Sequence, residues 1–335
     1  MAVSVRDVAA AAGVSVGTVS NVMNQPEKVS ATTVERVQAV IAELGFVRND
    51  AARQLRAGRS RSIGLVVPDA GNPFFADVAR GAEARADDDM LAVLLGNSDE
   101  DPSREDNYLD LFREQRVNGV LITPASDDID KLLRVQAAGI PVVLVDHEVP
   151  GSAFCSVSVD DVEGGFLAAQ HLLQIGRRRL AFVGGPGAVA QVAHRLEGAR
   201  RAVDAVPGAT LEVIGMPALT VLHGRAVGEE IAARAEADRP DAIFAANDLL
   251  AVGLLQALTM FRTIRVPEDI ALVGYDDIDF ATATVVPLTS VRQPAQLIGR
   301  TAVELLLRSI SDPEGDYDRR VRFRPELVVR ESTSG

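Results

Sequence analysis

From Ser62 onward the chain repeats one pattern: a short apolar run, a turn, an amphipathic stretch, then another apolar run. Ser62-Ile63-Gly64-Leu65-Val66-Val67 opens the series, and further strands are expected at 91–95, 119–123, 141–145, 156–159, 180–183, 211–214, 242–245 and 270–274. Helices are expected between them at 75–88, 103–115, 129–138, 162–175, 194–206, 224–235, 249–259 and 294–311. Strands that alternate with helices build parallel sheets covered on both faces. About ten strands are too many for one comfortable sheet. A composition break near Val159–Asp161 therefore divides this α/β region into two similar lobes, each a doubly wound parallel sheet.

The first 46 residues follow a different pattern. Ser4 and Asp7 have capping-box spacing, so a helix starts near Val5. Gly13, free to take positive φ, ends that helix, and Ser15 caps a second at once. Two short helices around a tight glycine turn make a helix-turn-helix. Val19, Val22 and Met23 share one face of the second helix and are expected in the core. The opposite face carries Val16, Gly17, Thr18, Ser20 and Asn21, with Asn24 at the helix end. These side chains are small and uncharged. Such a face can enter a major groove, where Asn pairs with adenine, Val meets a thymine methyl, and hydroxyls suit phosphates. Ser30 is expected to cap a third helix carrying Val34, Val37, Ile41 and Leu44, with Gly45 as its stop.

V-R-D-V-A, A-G-V-S-V-G-T-V-S-N-V-M-N, V-S-A-T-T-V-E-R-V, E-L-G-F-V-R-N-D-A-A-R-Q-L, N-P-F-F, F-A-A-N-D and V-G-Y-D-D follow one another along nearly the whole chain. In this ordered set the protein resembles the LacI/GalR (lactose repressor) family of bacterial transcription regulators. The resemblance implies a DNA-binding headpiece at 1–46, a hinge at 47–61 that forms a short helix on operator DNA, and an effector-binding and dimerisation domain at 62–335. That domain is expected to have the two-lobed periplasmic-binding-protein arrangement, with one lobe at 62–159 plus 292–320 and the other at 160–291 plus 321–335. In the hinge, Leu55 matches the leucine that wedges into a minor-groove step, and Arg53 and Arg56 join the DNA-binding set. Read without the resemblance, the same arginine-rich stretch is a solvated linker.

The net charge of −13 opposes nucleic-acid binding only until it is divided. Residues 1–61 hold eight basic and five acidic side chains, a net +3, which leaves −16 for the remainder. Basic charge is thus concentrated where phosphates would be met. A single cysteine, Cys155, excludes an internal disulfide. The four histidines are scattered, and no metal or cofactor is expected. With no long apolar run and no leader after Met1, the protein is expected in the cytoplasm, off the membrane, and on the nucleoid when bound to DNA.

In open parallel sheets, ligands lie beyond the carboxyl ends of the strands. Those ends carry Asn72, Phe74 and Phe75, Asp146, Asp160 and Asp161, Asn247 and Asp248, and Asp276 and Asp277, while Arg195 is expected to begin the helix after Gly185. Carboxylates, an amide, a guanidinium and aromatic walls suit a sugar. The resemblance assigns effector contact to Arg195, Asn247 and Asp276, with Asp146, Asp160, Phe74 and Asn72 as further candidates. Phe75 is read as core, and Asn247, Asp248 and Asp160 are open to a second reading as helix caps.

A homodimeric repressor of carbohydrate genes, bound to a pseudo-palindrome and controlled by a sugar, is the expectation. The absence of leucine heptads after Glu331 favours a dimer. A nucleobase or nucleoside is the alternative effector, and a sugar-binding protein with a vestigial DNA domain is a second alternative. Gly185-Pro186-Gly187-Ala188-Val189-Ala190 has the form of a dinucleotide loop and would make the protein an NAD-linked oxidoreductase. That reading is discounted because Asp204 falls in a helix, Pro186 stiffens the loop, and the 188–193 run delays helix entry. No carboxylate pair is singled out for catalysis.

Overall fold

The computed structural model describes residues 3–46, 60–126, 128–187, 189–260 and 264–334. The chain forms two compact units, 1–60 and 61–335.

In the smaller unit the expected caps place three helices, α1 (Val5–Ala12), α2 (Val16–Asn24) and α3 (Ala31–Leu44). Ser4 and Asp7 form the full capping box, and Gly13 and Gly45 end α1 and α3 with φ of 64° and 60°. Val8, Ala12, Val19, Val22 and Val37 close a small core between the helices. Ser30 stands at the start of α3, but its hydroxyl bonds Thr33 Oγ1 at 2.9 Å instead of a backbone amide. The sequence placed the cap correctly and its bond wrongly.

The larger unit continues with β1 (Ser62–Val67), α4 (Pro73–Asp87), β2 (Ala92–Asn97), α5 (Pro102–Glu114), β3 (Val120–Ile122), α6 (Asp130–Ala137), β4 (Val142–Val145), β5 (Cys155–Val159), α7 (Asp161–Gln174), β6 (Arg179–Gly184) and α8 (Ala190–Asp204). It closes with β7 (Thr210–Gly215), α9 (Val221–Ala233), β8 (Ala242–Ala245), α10 (Asp248–Met260), β9 (Ala271–Asp276), α11 (Asp279–Ala283), β10 (Thr289–Arg292), α12 (Ala295–Ser311), β11 (Arg320–Phe323) and β12 (Glu326–Val328). Two six-stranded sheets result, ordered β11-β5-β4-β3-β1-β2 and β12-β10-β9-β8-β6-β7. Every pairing is parallel except β10 with β12. Strands buried on both faces, such as Val142–Val145 and Ala242–Ala245, explain the unbroken apolar runs.

The chain passes between lobes at 160, at 293–294 and at 324–325. Two boundaries differ from expectation. Arg292 is the last residue of β10 in the second sheet, and Arg320–Phe323 pairs with β5 in the first, so the final passage follows Phe323 and does not fall at Val321. Helix α8 also differs: it starts at Ala190, which puts Arg195 in its second turn. Entry is not delayed to His194, so that argument against the dinucleotide loop falls, while Asp204 does lie in the helix.

Glycines set the spacing of three helix pairs. A methyl at Gly165 would overlap the Arg195 carbonyl oxygen, and one at Gly198 would overlap that of Val162, so α7 and α8 cross backbone to backbone. Gly81 and Gly299 do the same for α4 and α12, as do Gly224 and Gly253 for α9 and α10.

Candidate effector cleft and nucleic-acid interface

On α2, Ser15 Oγ accepts from the Thr18 amide at 3.0 Å and shares a bond with Thr18 Oγ1 at 2.9 Å. The cap fixes where the helix starts and turns Val19 and Val22 inward. Val16, Gly17 and Asn21 are exposed on the opposite side, and Thr18 and Ser20 are half-buried. Asn24 Nδ2 donates to the Ser20 carbonyl at 2.9 Å and to its hydroxyl at 3.2 Å, tying the last turn together. Arg53, Leu55 and Arg56 lie outside the described residues.

In the larger unit, strand ends of both sheets meet at a cavity of about 300 Å³. Asn72, Phe74, Asp146, Arg195, Asn247 and Asp276 all line it. Asp160 does not. It caps α7 through the Glu163 amide at 3.0 Å and faces a neighbouring hollow with Glu148, His194 and Arg322. Phe75 belongs to the first lobe's core as expected and also lines the cavity beside Phe74, their rings edge to face with centroids 5.0 Å apart.

Arg195 is 4% exposed. Its Nε donates to Asp161 Oδ1 at 2.8 Å and its Nη1 to the Ala246 carbonyl at 2.7 Å, and Asp276 Oδ1 stands 3.8 Å away. The guanidinium lies over the Tyr275 ring, 3.7 Å from its centre. Burial works against its charge, but Asp161 first, then Tyr275, Asp276 and Asp146, hold the proton more tightly than water would. Asp276 Oδ1 accepts from Gln293 Nε2 at 2.8 Å and Oδ2 from Asn72 Nδ2 at 3.4 Å. Burial pushes the Asp276 carboxyl up to about 6, with Arg195 opposing. Burial also raises the Asp146 carboxyl well above the usual range, and the Asp161 charge adds to it. Asp146 and Asp276 both take positive φ, 53° and 101°, conformations that Asp tolerates and that turn these side chains off their strand ends.

Two expected residues divide their roles. Asn247 caps α10 through the Leu250 amide at 2.9 Å while still lining the cavity. Asp248 accepts from Ser290 Oγ at 2.7 Å and from the Ile278 amide at 2.9 Å, and it serves the interior. Sequence reasoning missed Gln191, whose Nε2 donates to the Asp146 backbone oxygen, and Gln293. Gln293 follows β10, so the strand-end rule could have found it. Gln191 sits inside a helix between alanine and valine, where no rule points.

A family profile described as bacterial regulatory proteins, lacI family, matches residues 4–49, and one described as a periplasmic binding protein-like domain matches 169–333. The transcriptional regulator DegA of Bacillus subtilis is 32% identical, the match covering 100% of this chain and 99% of that protein. The ribose operon repressor of the same organism is 34% identical over 91% of this chain and 90% of that protein. A lac repressor dimer, solved with operator and the anti-inducer ONPF, superposes with a TM-score of 0.84 at 28% identity, covering 99% of each chain.

Proposed function

Because this chain belongs to the lacI family of bacterial regulatory proteins, we propose that it is a homodimeric repressor of carbohydrate genes whose operator affinity is set by a sugar in the cleft. Like its relatives it is a transcriptional regulator and not an enzyme. Among the described residues, no helix is long and apolar enough to cross a membrane.

Val16, Gly17 and Asn21 contact base edges in this reading. Thr18, Ser20 and Asn24 take phosphates, with Arg53 and Arg56 of the hinge, and Leu55 enters a minor-groove step. Two copies are required because one helix reads only a few base pairs of a pseudo-palindrome.

A single observation carries the effector half: Arg195, Asp276, Asp146, Asn72 and Asn247, drawn from both sheets, converge on one cavity. A ligand that touches both lobes binds one lobe arrangement better than another. By linkage it changes DNA affinity by the same factor, typically about 1–3 kcal/mol. Operator fragments from the source genome, titrated by fluorescence anisotropy with and without sugars, test the proposal. Absence of any salt-sensitive sequence preference refutes the DNA half, and operator affinity that no sugar moves refutes the effector half.

A further inference from the structure

We propose that the cleft takes a free, uncharged sugar of one ring and rejects its phosphate esters and acid forms. The inference rests on the effector reading above and adds the chemistry of the ligand.

Size comes first. About 300 Å³ is the low end for small-molecule pockets, which run from roughly 300 to 1,000 Å³. The walls divide into Phe74 and Phe75 on one side and Pro186, Val189 and Leu219 from the other lobe. The two rings are adjacent residues set edge to face at 72°, and the facing wall is aliphatic. Among the described residues that leaves no aromatic sandwich for a flat base, while C–H faces of a sugar suit both walls.

Charge decides the rest. Arg195 is the one guanidinium among the described lining residues, and its positive charge is already engaged by Asp161, Asp276 and the Tyr275 ring. Asp146 and Asp276 face the cavity from within the fold, and the exposed Glu100 adds a third carboxylate. Asp146 Oδ1 is buried and has no hydrogen-bond partner, although Asp146 is only 4% exposed. A buried acceptor left unmade is costly, and a ligand O–H satisfies it. An anionic phosphate or carboxylate in that place would press Asp146, Asp276 and Glu100 further toward their protonated forms, and Arg195, the one permanently cationic side chain among the described lining residues, is already engaged.

The test is calorimetric titration of the full-length protein with the common aldopentoses and aldohexoses, their terminal phosphate esters, the matching uronic acids, and adenine. At least one free sugar is expected to bind, with its phosphate ester and uronic acid weaker by about a hundredfold. Asp146→Asn keeps a residue that tolerates positive φ but replaces one acceptor with a donor. It is expected to weaken the free sugar by about tenfold and to narrow the gap to the phosphate ester. An anionic form that binds as tightly as its parent sugar, adenine outbinding every sugar, or a panel without any binder overturns the proposal. A free sugar that binds selectively yet leaves operator affinity unchanged upholds this selectivity and refutes the regulatory role instead.

Discussion

Gln191 on α8 donates to the Asp146 backbone oxygen at 2.6 Å and to its carboxylate at 3.4 Å, joining one lobe directly to the other. Asn72 and Asp276 make a second bridge in the opposite sense, from the first lobe to the second. Side chains of the protein thus span the cavity on two sides, and a ligand enters a space whose walls are already linked.

Gln191→Ala removes the stronger bridge. The expected result is a loss of about 0.5–1.5 kcal/mol in the stability of the larger unit and a measurably larger radius of gyration in solution scattering. If melting temperature and radius both match the parent protein, the bridge does not hold the lobes together.

Arg195→Ala leaves Asp161 buried without its counter-charge. Removing one partner of a buried pair costs roughly 3–5 kcal/mol, far more than loss of an exposed pair. Denaturant unfolding reads this directly, and a midpoint like that of the parent protein contradicts the assigned pairing.

Acid should stabilise the cleft. The Asp276 carboxyl stands at about 6 when folded against 3.8 in its ordinary state, so the folded protein holds a proton that the unfolded chain releases between those values. Its contribution is complete below the lower value and is lost as pH rises through the upper one. The free energy of unfolding is therefore expected to climb as pH falls from about 7 to about 5, by up to about 1.4 kcal/mol per pH unit for each such proton, and the melting temperature to rise with it. Asp276→Asn should flatten the slope, and an unchanged slope in that variant removes Asp276 as its source.

Asn21 is exposed on α2 beside Val16 and Gly17. Asn21→Ala should cost about 1–3 kcal/mol at one base pair of each half-site. Equal losses on all duplexes would place Asn21 on phosphates instead.

The sequence was most legible where a local rule operates. Ser4, Gly13, Ser15 and Gly45 act on their own helix ends, and each stands where capping chemistry required. The alternation after Ser62 likewise announced two sheets, parallel but for β10 with β12, and the clearest runs came from strands buried on both faces, such as β4 and β8. Tertiary choices were harder to see. No strand was expected at Arg320-Val321-Arg322-Phe323, where charged and apolar residues alternate over only four positions, and only its pairing with β5 assigns it to the first lobe. Strand ends revealed Asp146 and Asp276, but not that Arg195 would be engaged by Asp161, nor that Gln191 would reach across. Those contacts join segments 34 and 45 residues apart, and no periodicity encodes them.

Six glycines bring three pairs of helices into main-chain contact, and packing that tight has no slack to deform. Each lobe is consequently a stiff plate, and any swing between the two must be taken up where the strands change sheets, near Asp160, Gln293 and Arg324. Work done by a bound solute at the strand tips is then delivered as rotation about three narrow pivots instead of being absorbed by soft helices. Lengthening one pivot by a few residues should uncouple sensing from its output while leaving both plates intact.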